Sequence, residues 1–127
     1  MSGVLSKILL VEDEEDIQDI ATMSLETLGG FEVKIASSGK EALSLAPEFQ
    51  PDLILLDVMM PEMDGPTTLE SLRSRSETAS IPVVFMTAKV QTHEIDELRT
   101  LGVLEVIQKP FSAAGLPREL QAIWENR

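Results

Sequence analysis

Five short apolar segments alternate along the chain with segments of helical periodicity, and this alternation restricts the fold more than any other feature. The apolar segments are nearly continuous, which is typical of strands that are buried on both faces of a sheet. We predict strands at residues 7–12, 31–36, 53–57, 82–86 and 105–108. Because β-α-β connections are right-handed, this order predicts a doubly wound α/β fold, a three-layer sandwich with helices on both faces of a five-stranded parallel sheet.

The segments between the strands predict five helices. The first has an apolar side that repeats every three or four residues, and the pair Gly29 and Gly30 follows it as a C-terminal cap. Its predicted inward residues are Ile17, Ile20, Ala21, Ser24, Leu25 and Leu28. A second helix is predicted at residues 38–49, and a third follows Gly65. The inward residues predicted for the last three helices are Leu69 and Leu72, then Ile95, Leu98 and Leu101, then Leu120, Ile123 and Trp124, with the regular part of the fifth helix beginning at Pro117.

Composition narrows the range of functions. The 127 residues include 22 acidic and 10 basic side chains, which gives a formal net charge of −12. Such a charge repels nucleic-acid phosphates and anionic lipids, so neither direct DNA binding nor membrane attachment is expected. The sequence has no cysteine, no run of transmembrane length and no apolar leader in residues 1–7. We therefore expect one cytoplasmic domain covering residues 1–127, without an output domain, as a monomer or weak dimer.

Polar residues follow four of the five predicted strands. Strand one leads into Glu12 and Asp13, strand three ends in Asp57, strand four leads into Thr87, and strand five leads into Lys109. In open α/β sheets, ligands bind at the carboxyl ends of the strands. Because the carboxyl ends of parallel strands lie along one edge, we expect these five side chains to converge there.

These residue types suit magnesium-dependent phosphoryl transfer. Glu12, Asp13 and Asp57 would repel one another unless a cation lies among them, and Mg²⁺ prefers one or two carboxylates together with water and phosphate oxygens. An aspartate carboxylate is a competent nucleophile that yields an aspartyl phosphate, and Asp57 is the candidate. Lys109 would neutralise one phosphoryl oxygen, and the Thr87 hydroxyl would donate to another.

Four motifs, in this order, resemble the receiver domain of two-component response regulators. They are residues 11–13 (Val-Glu-Asp), 57–65 (Asp-Val-Met-Met-Pro-Glu-Met-Asp-Gly), 87–88 (Thr-Ala) and 109–111 (Lys-Pro-Phe). The match spans nearly the whole chain. The resemblance implies a flavodoxin-like sheet with strand order 2-1-3-4-5 and a cis peptide bond between Lys109 and the following proline.

The resemblance also implies roles for the site residues and their partners. A sensor histidine kinase or a histidine phosphotransfer protein would phosphorylate Asp57. Mg²⁺ would be bound by Asp13, Asp57 and the backbone carbonyl of Met59, while Glu12 would hold a coordinated water. A downstream protein target would then recognise the surface formed by helix four, strand five and helix five.

The resemblance implies that phosphorylation would draw Thr87 inward and that Lys109 would contact the phosphoryl oxygens. Receiver domains often carry Tyr or Phe three residues before this lysine, and Val106 stands there instead. An aromatic readout is therefore not expected. Met59 and Lys89 resemble the family positions that set the lifetime of the phosphoryl group, and we hypothesise that Met59 shields that group from water.

Three other functions compete with this interpretation. A flavin-binding electron carrier needs a phosphate-binding loop after strand one, where this chain has the acidic residues 12–16, and it needs aromatic rings, although no tyrosine is present. An aspartate-nucleophile phosphatase needs two aspartates separated by one residue, whereas Asp13 is followed by Glu15 at that spacing. A receiver-like scaffold that takes no phosphate is the third alternative, and the intact set of strand-end residues argues against it.

Overall fold

The computed structural model describes residues 3–89 and 91–127. Within these residues it contains one parallel sheet with strand order β2-β1-β3-β4-β5. The strands are β1 Lys7–Val11, β2 Glu32–Ala36, β3 Leu53–Asp57, β4 Val83–Thr87 and β5 Glu105–Gln108. The predicted α/β fold class and the strand order implied by the resemblance are confirmed. Each strand lies within about one residue of its predicted bounds.

Helices follow each strand and cover both faces of the sheet. They are α1 Glu15–Met23, α2 Gly39–Phe49, α3 Gly65–Arg73, α4 Thr92–Arg99 and α5 Leu116–Glu125. The chain continues from α1 into a π-helical segment, Ser24–Leu28. Among the described residues, no helix combines the length and the apolar character that a membrane span requires.

Alternate residues of the strands supply two separate hydrophobic cores, because successive side chains of a strand point to opposite faces. On one face Leu9, Leu56 and Phe85 pack with α2, α3 and α4. On the other face Leu10 and Leu55 pack with α1 and α5. β3 and β4 are buried along their whole length. The polar side chain in each of these strands belongs to its last residue, so it lies at one edge of the sheet.

The inward side of α1 differs from the prediction. Ile20 and Leu28 were predicted to face the core, but they are 44% and 59% exposed. Gln18 is buried instead, because its Nε2 donates a hydrogen bond of 2.6 Å to the backbone carbonyl of Glu12. The π-helical segment adds a residue to the turn after Ser24, which rotates Leu28 out of the core.

The last two helices agree with their predicted packing, with one exception. Leu101 was predicted to face inward but is 45% exposed, because α4 ends at Arg99 and the chain turns there before a glycine with positive φ. Helix α5 begins one residue before Pro117, and Leu120 and Trp124 are buried as predicted. Both C-terminal helices therefore pack on the sheet next to β5.

Gly65 allows the start of α3 to pack directly against the end of β3. Its backbone N–H donates a hydrogen bond of 2.9 Å to the carbonyl of Val58. A Cβ atom at this position would lie 2.7 Å from the carbonyl oxygen of Asp57 and 2.8 Å from the Cα of Val58. Both neighbours are backbone atoms, so a side chain here would displace the residue that ends β3.

We predict that Gly65→Ala destabilises the protein by about 1–3 kcal/mol, because the added methyl group overpacks a contact between two backbones. Urea unfolding would measure the change in the free energy of unfolding. Gly115→Ala is the matched control, since its Cβ would meet Ser112 at an ordinary distance of 3.4 Å. Equal stabilities of the two variants would contradict the proposed close packing at Gly65.

Candidate functional site

Polar side chains cluster at the carboxyl edge of the three inner strands and β5. Asp57 ends β3 and is paired in register with Met86 of β4, while Thr87 of β4 is paired with Gln108, the residue before Lys109. Glu12 follows β1, the neighbour of β3 on its other side. The predicted site residues are thus brought to one edge of the sheet by the strand order.

Lys109 lies between two carboxylates. Its Nζ is 2.7 Å from Oε1 of Glu12 and 3.0 Å from Oδ1 of Asp57. The side chain of Lys109 is 13% exposed, that of Asp57 is 3% exposed, and that of Glu12 is fully buried. The peptide bond that follows Lys109 is cis, as the resemblance implies. One ammonium group therefore serves two buried carboxylates.

Burial changes the ionisation of these three groups. Desolvation raises the pKa of Glu12 and of Asp57 above the usual carboxyl values, although the hydrogen bond from Lys109 opposes the rise in both. Repulsion between carboxylates adds to the rise but is the smaller cause, whereas the sequence suggested repulsion as the main one. Desolvation lowers the pKa of Lys109, and the hydrogen bonds to Glu12 and Asp57 outweigh this effect, so the net pKa is raised.

Asp13 completes an acidic cluster that is suited to a divalent cation. Glu12, Asp13 and Asp57 each offer a carboxylate oxygen, and these oxygens lie within 4.8 Å of one another. Oxygen ligands of this kind fit Mg²⁺, and the three negative charges exceed the single positive charge of Lys109. The donor set therefore fits the predicted metal. The side chain of Met59, whose carbonyl was the remaining predicted ligand, is 62% exposed beside this cluster.

Thr87 is fully buried at the end of β4. Its Oγ1 accepts a hydrogen bond of 3.0 Å from the backbone N–H of Lys89, and its carbonyl accepts one of 2.7 Å from the N–H of Lys109. Because Oγ1 acts as an acceptor in the first bond, the hydroxyl proton can be donated to another oxygen. Thr87 is thus tied to both segments that flank the site.

Two residues that support Glu12 were missed by the sequence analysis. Gln18 binds the backbone carbonyl of Glu12, and the backbone N–H of Glu14 donates a hydrogen bond of 3.1 Å to Oε2 of Glu12. The only signal for Gln18 was its place one turn before Ala21 on the inward side of α1. A polar residue there gives no indication of the group that it binds.

Comparison with known families identifies a family model that covers most of the chain. The family model described as the response regulator receiver domain matches residues 8–121. The chain belongs to the response regulator receiver domain family. Receiver domains are signalling proteins of two-component systems, for which aspartate phosphorylation and Mg²⁺ are standard.

Curated relatives of this receiver domain are longer proteins. The chain is 34% identical over 119 residues to the DNA-binding dual master transcriptional regulator RpaA of Synechocystis sp., covering 94% of this chain and 49% of RpaA. It is 38% identical over 116 residues to the response regulator SaeR of Staphylococcus aureus, covering 91% of this chain and 47% of SaeR. The chain therefore spans about half the length of these relatives.

Solved receiver structures have the same architecture. The chemotaxis response regulator CheY4 of Vibrio cholerae superposes with a TM-score of 0.85 at 29% identity, covering 94% of this chain and 99% of CheY4. A response regulator from Desulfuromonas acetoxidans superposes with a TM-score of 0.85 at 26% identity, covering 95% of this chain and 98% of that chain.

We predict that Asp57→Asn raises the melting temperature of the receiver domain in the presence of a chelator. Lys109 keeps Glu12 as a partner in this variant, and one buried negative charge is removed. The raised pKa of Asp57 means that the folded state holds this proton more strongly than the unfolded state does. The wild type therefore loses this stabilisation as the pH rises through the folded pKa, so the advantage of Asp57→Asn should grow with pH.

Asp19→Asn is the control, because Asp19 is an exposed residue of α1 and the charge change is identical. Thermal unfolding at several pH values should show a small and nearly constant difference for this variant. Adding Mg²⁺ should raise the melting temperature of the wild type and affect Asp57→Asn much less, because bound metal relieves the repulsion. If Asp57→Asn melts at the same temperature as the wild type, and Mg²⁺ does not raise the melting temperature of the wild type, the acidic cluster is contradicted as a metal site.

Proposed function

We propose that this receiver domain accepts a phosphoryl group on Asp57 from a histidine kinase or a histidine phosphotransfer protein, in a reaction that requires Mg²⁺. The observation that carries the proposal is the shared Lys109, which lies 3.0 Å from the buried carboxylate of Asp57 beside two further carboxylates. A buried nucleophile, a fixed cation and a cluster suited to a metal are the parts that phosphoryl transfer needs.

The transfer follows from the positions of Asp57 and Lys109. A carboxylate oxygen of Asp57 forms a bond to phosphorus while the bond from phosphorus to the histidine nitrogen of the donor breaks. The nitrogen keeps the bonding electrons and is protonated. Lys109 neutralises an oxygen of the incoming phosphoryl group, for which it exchanges one of its present carboxylate contacts. Asp13, Asp57 and the carbonyl of Met59 would hold Mg²⁺, with Glu12 on a coordinated water, and the ion would neutralise the remaining charge.

Signalling then starts from Thr87. When its hydroxyl donates to a phosphoryl oxygen, the geometry of its hydrogen bonds to Lys89 and Lys109 changes. These residues connect the site to a groove between α4 and α5, which Ile95, Val106, Ile107 and Phe111 help to line. Val106 is buried and has no aromatic ring that could move between an inward and an outward orientation. The groove itself is therefore the surface that we propose a downstream protein recognises.

Charge and packing support the remaining parts of the proposal. The net charge of −12 disfavours direct contact between these 127 residues and DNA or an anionic membrane. The sheet and its two cores form one domain, and we propose that it signals through protein contacts in the cytoplasm as a monomer or weak dimer. Met59 lies two residues after Asp57 and has an exposed side chain, and we propose that this side chain hinders the approach of water to the phosphoryl group.

We predict that wild-type protein gains the mass of one phosphate when it is incubated with acetyl phosphate and Mg²⁺. The gain should disappear when Mg²⁺ is chelated, because the charge of the cluster then repels the donor. Intact-mass spectrometry measures both states. Asp57→Asn should gain nothing, and Asp19→Asn should behave as the wild type does.

Phosphate on Asp57→Asn at the wild-type level would contradict Asp57 as the acceptor. If the wild type gains no phosphate from acetyl phosphate or phosphoramidate, a purified phosphohistidine protein is the remaining donor to test. Failure with all three would favour a scaffold that works without phosphate.

A further inference from the structure

The chain leaves the sheet at Glu12. The backbone N–H of this residue still donates a hydrogen bond of 3.0 Å to the carbonyl of Ala36, the last residue of β2. Its own carbonyl lies beyond the paired residues of β1 and β2, which end at Val11 and Ala36. Because Glu12 is fully buried, this carbonyl needs a hydrogen-bond donor from the protein.

Gln18 of α1 supplies that donor. Its Nε2 donates a hydrogen bond of 2.6 Å to the carbonyl of Glu12 and a second one of 3.2 Å to Oγ of Ser37, the first residue after β2. Gln18 is itself buried against the sheet. One side-chain amide therefore ties the residues that follow β1 and β2 to the first helix.

The carbonyl that Gln18 binds belongs to the peptide unit between Glu12 and Asp13. Because a peptide unit is planar, a hydrogen bond to its oxygen limits rotation of the whole unit and thereby the backbone torsion angles of both residues. Both residues belong to the acidic cluster, whose carboxylate oxygens lie within 4.8 Å of one another. Gln18 thus restrains two of the three carboxylates from a position outside the cluster.

We propose that Gln18 is a positioning residue of the magnesium site, which fixes the peptide between Glu12 and Asp13 and so keeps their carboxylates in the arrangement that binds Mg²⁺. The inference rests on the proposed function of the acidic cluster and adds a residue that does not belong to it. Without the amide, the buried carbonyl of Glu12 loses its donor. Rotation of the peptide toward water restores a hydrogen bond but turns both acidic residues out of place.

The expected loss of magnesium affinity is partial. Lys109 and the backbone N–H of Glu14 still hold the carboxylate of Glu12 when Gln18 is replaced. The loss therefore falls mainly on Asp13, whose side chain is a predicted ligand. Residues that orient metal ligands change the affinity by about 10-fold to 100-fold, and we expect the lower end of this range.

A second buried hydrogen bond of the same kind provides a matched control. Oγ1 of Thr78 donates a hydrogen bond of 2.7 Å to the carbonyl of Leu72, and Thr78 is as deeply buried as the residues of the site. Thr78 lies between α3 and β4, before the amino end of β4, whereas the acidic cluster lies at the carboxyl edge of the sheet. Thr78→Val therefore removes a buried bond to a backbone carbonyl without touching the site.

The first test titrates Mg²⁺ alone into unphosphorylated protein by calorimetry. Gln18→Met, which keeps the length of the side chain but has no donor, should bind Mg²⁺ about tenfold more weakly than the wild type. Thr78→Val should bind as the wild type does, although urea unfolding with a chelator should show that both variants are less stable. Ser37→Ala should also keep the wild-type affinity, because it leaves the bond from Gln18 to Glu12 intact.

The second test measures the initial rate of phosphorylation by acetyl phosphate as the concentration of Mg²⁺ varies, with intact mass as the readout. Gln18→Met should need about ten times more Mg²⁺ than the wild type to reach half of its maximal rate. Its rate at saturating Mg²⁺ should equal that of the wild type, because Asp57 and Lys109 keep their contact. General damage to the fold would instead lower the rate at saturation.

Three results would overturn the proposal: wild-type magnesium affinity in Gln18→Met, an equal loss of affinity in Thr78→Val, or a lowered rate at saturating Mg²⁺. If Gln18→Met does not fold, Gln18→Asn replaces it, because its amide is one methylene too short to reach the carbonyl of Glu12, and the same results decide. Failure of the wild type itself to bind Mg²⁺ or to take phosphate would instead overturn the proposed function on which the inference rests.

Discussion

The contact of Lys109 with both Glu12 and Asp57 is the interaction on which the rest of the site depends. One ammonium compensates one of the two buried carboxylates, and Asp13 adds a third negative charge at the same edge. The apolar strands behind this edge provide the stability that holds the charges together. The surplus negative charge then favours binding of a divalent cation beside Asp57, the carboxylate that ends the fully buried strand β3.

Much of this arrangement follows from the sequence because strand order and strand ends decide it. The alternation of apolar and helical segments predicted the α/β class. The polar residues after four of the five strands predicted the candidate site, since parallel strands end at one edge. Packing between helices was harder to predict. The exposure of Ile20 and Leu28 depends on a π-helical segment and on a buried Gln18 that binds a backbone carbonyl, and neither has a periodic signal.

The site is connected to the rest of the molecule through short polar contacts at the ends of β4 and β5. Thr87 binds the backbone of Lys89, which in turn binds Gln108 and, through its side chain, Glu94 on α4. The contacts with Thr87 and Gln108 involve the backbone of Lys89, so these partners are not apparent from residue types. They connect the end of β4 to α4 and to the end of β5, where the buried Val106 provides no aromatic ring.

The most direct test of the account is chemical trapping of the acceptor. Borohydride reduces an aspartyl phosphate to homoserine, so peptide mapping after treatment with acetyl phosphate, Mg²⁺ and borohydride identifies the modified residue. We predict homoserine at Asp57 and at no other acidic residue. Homoserine at Asp13 or Asp64 instead, or none in protein that has gained the mass of a phosphate, would contradict Asp57 as the acceptor and with it the role assigned to Lys109.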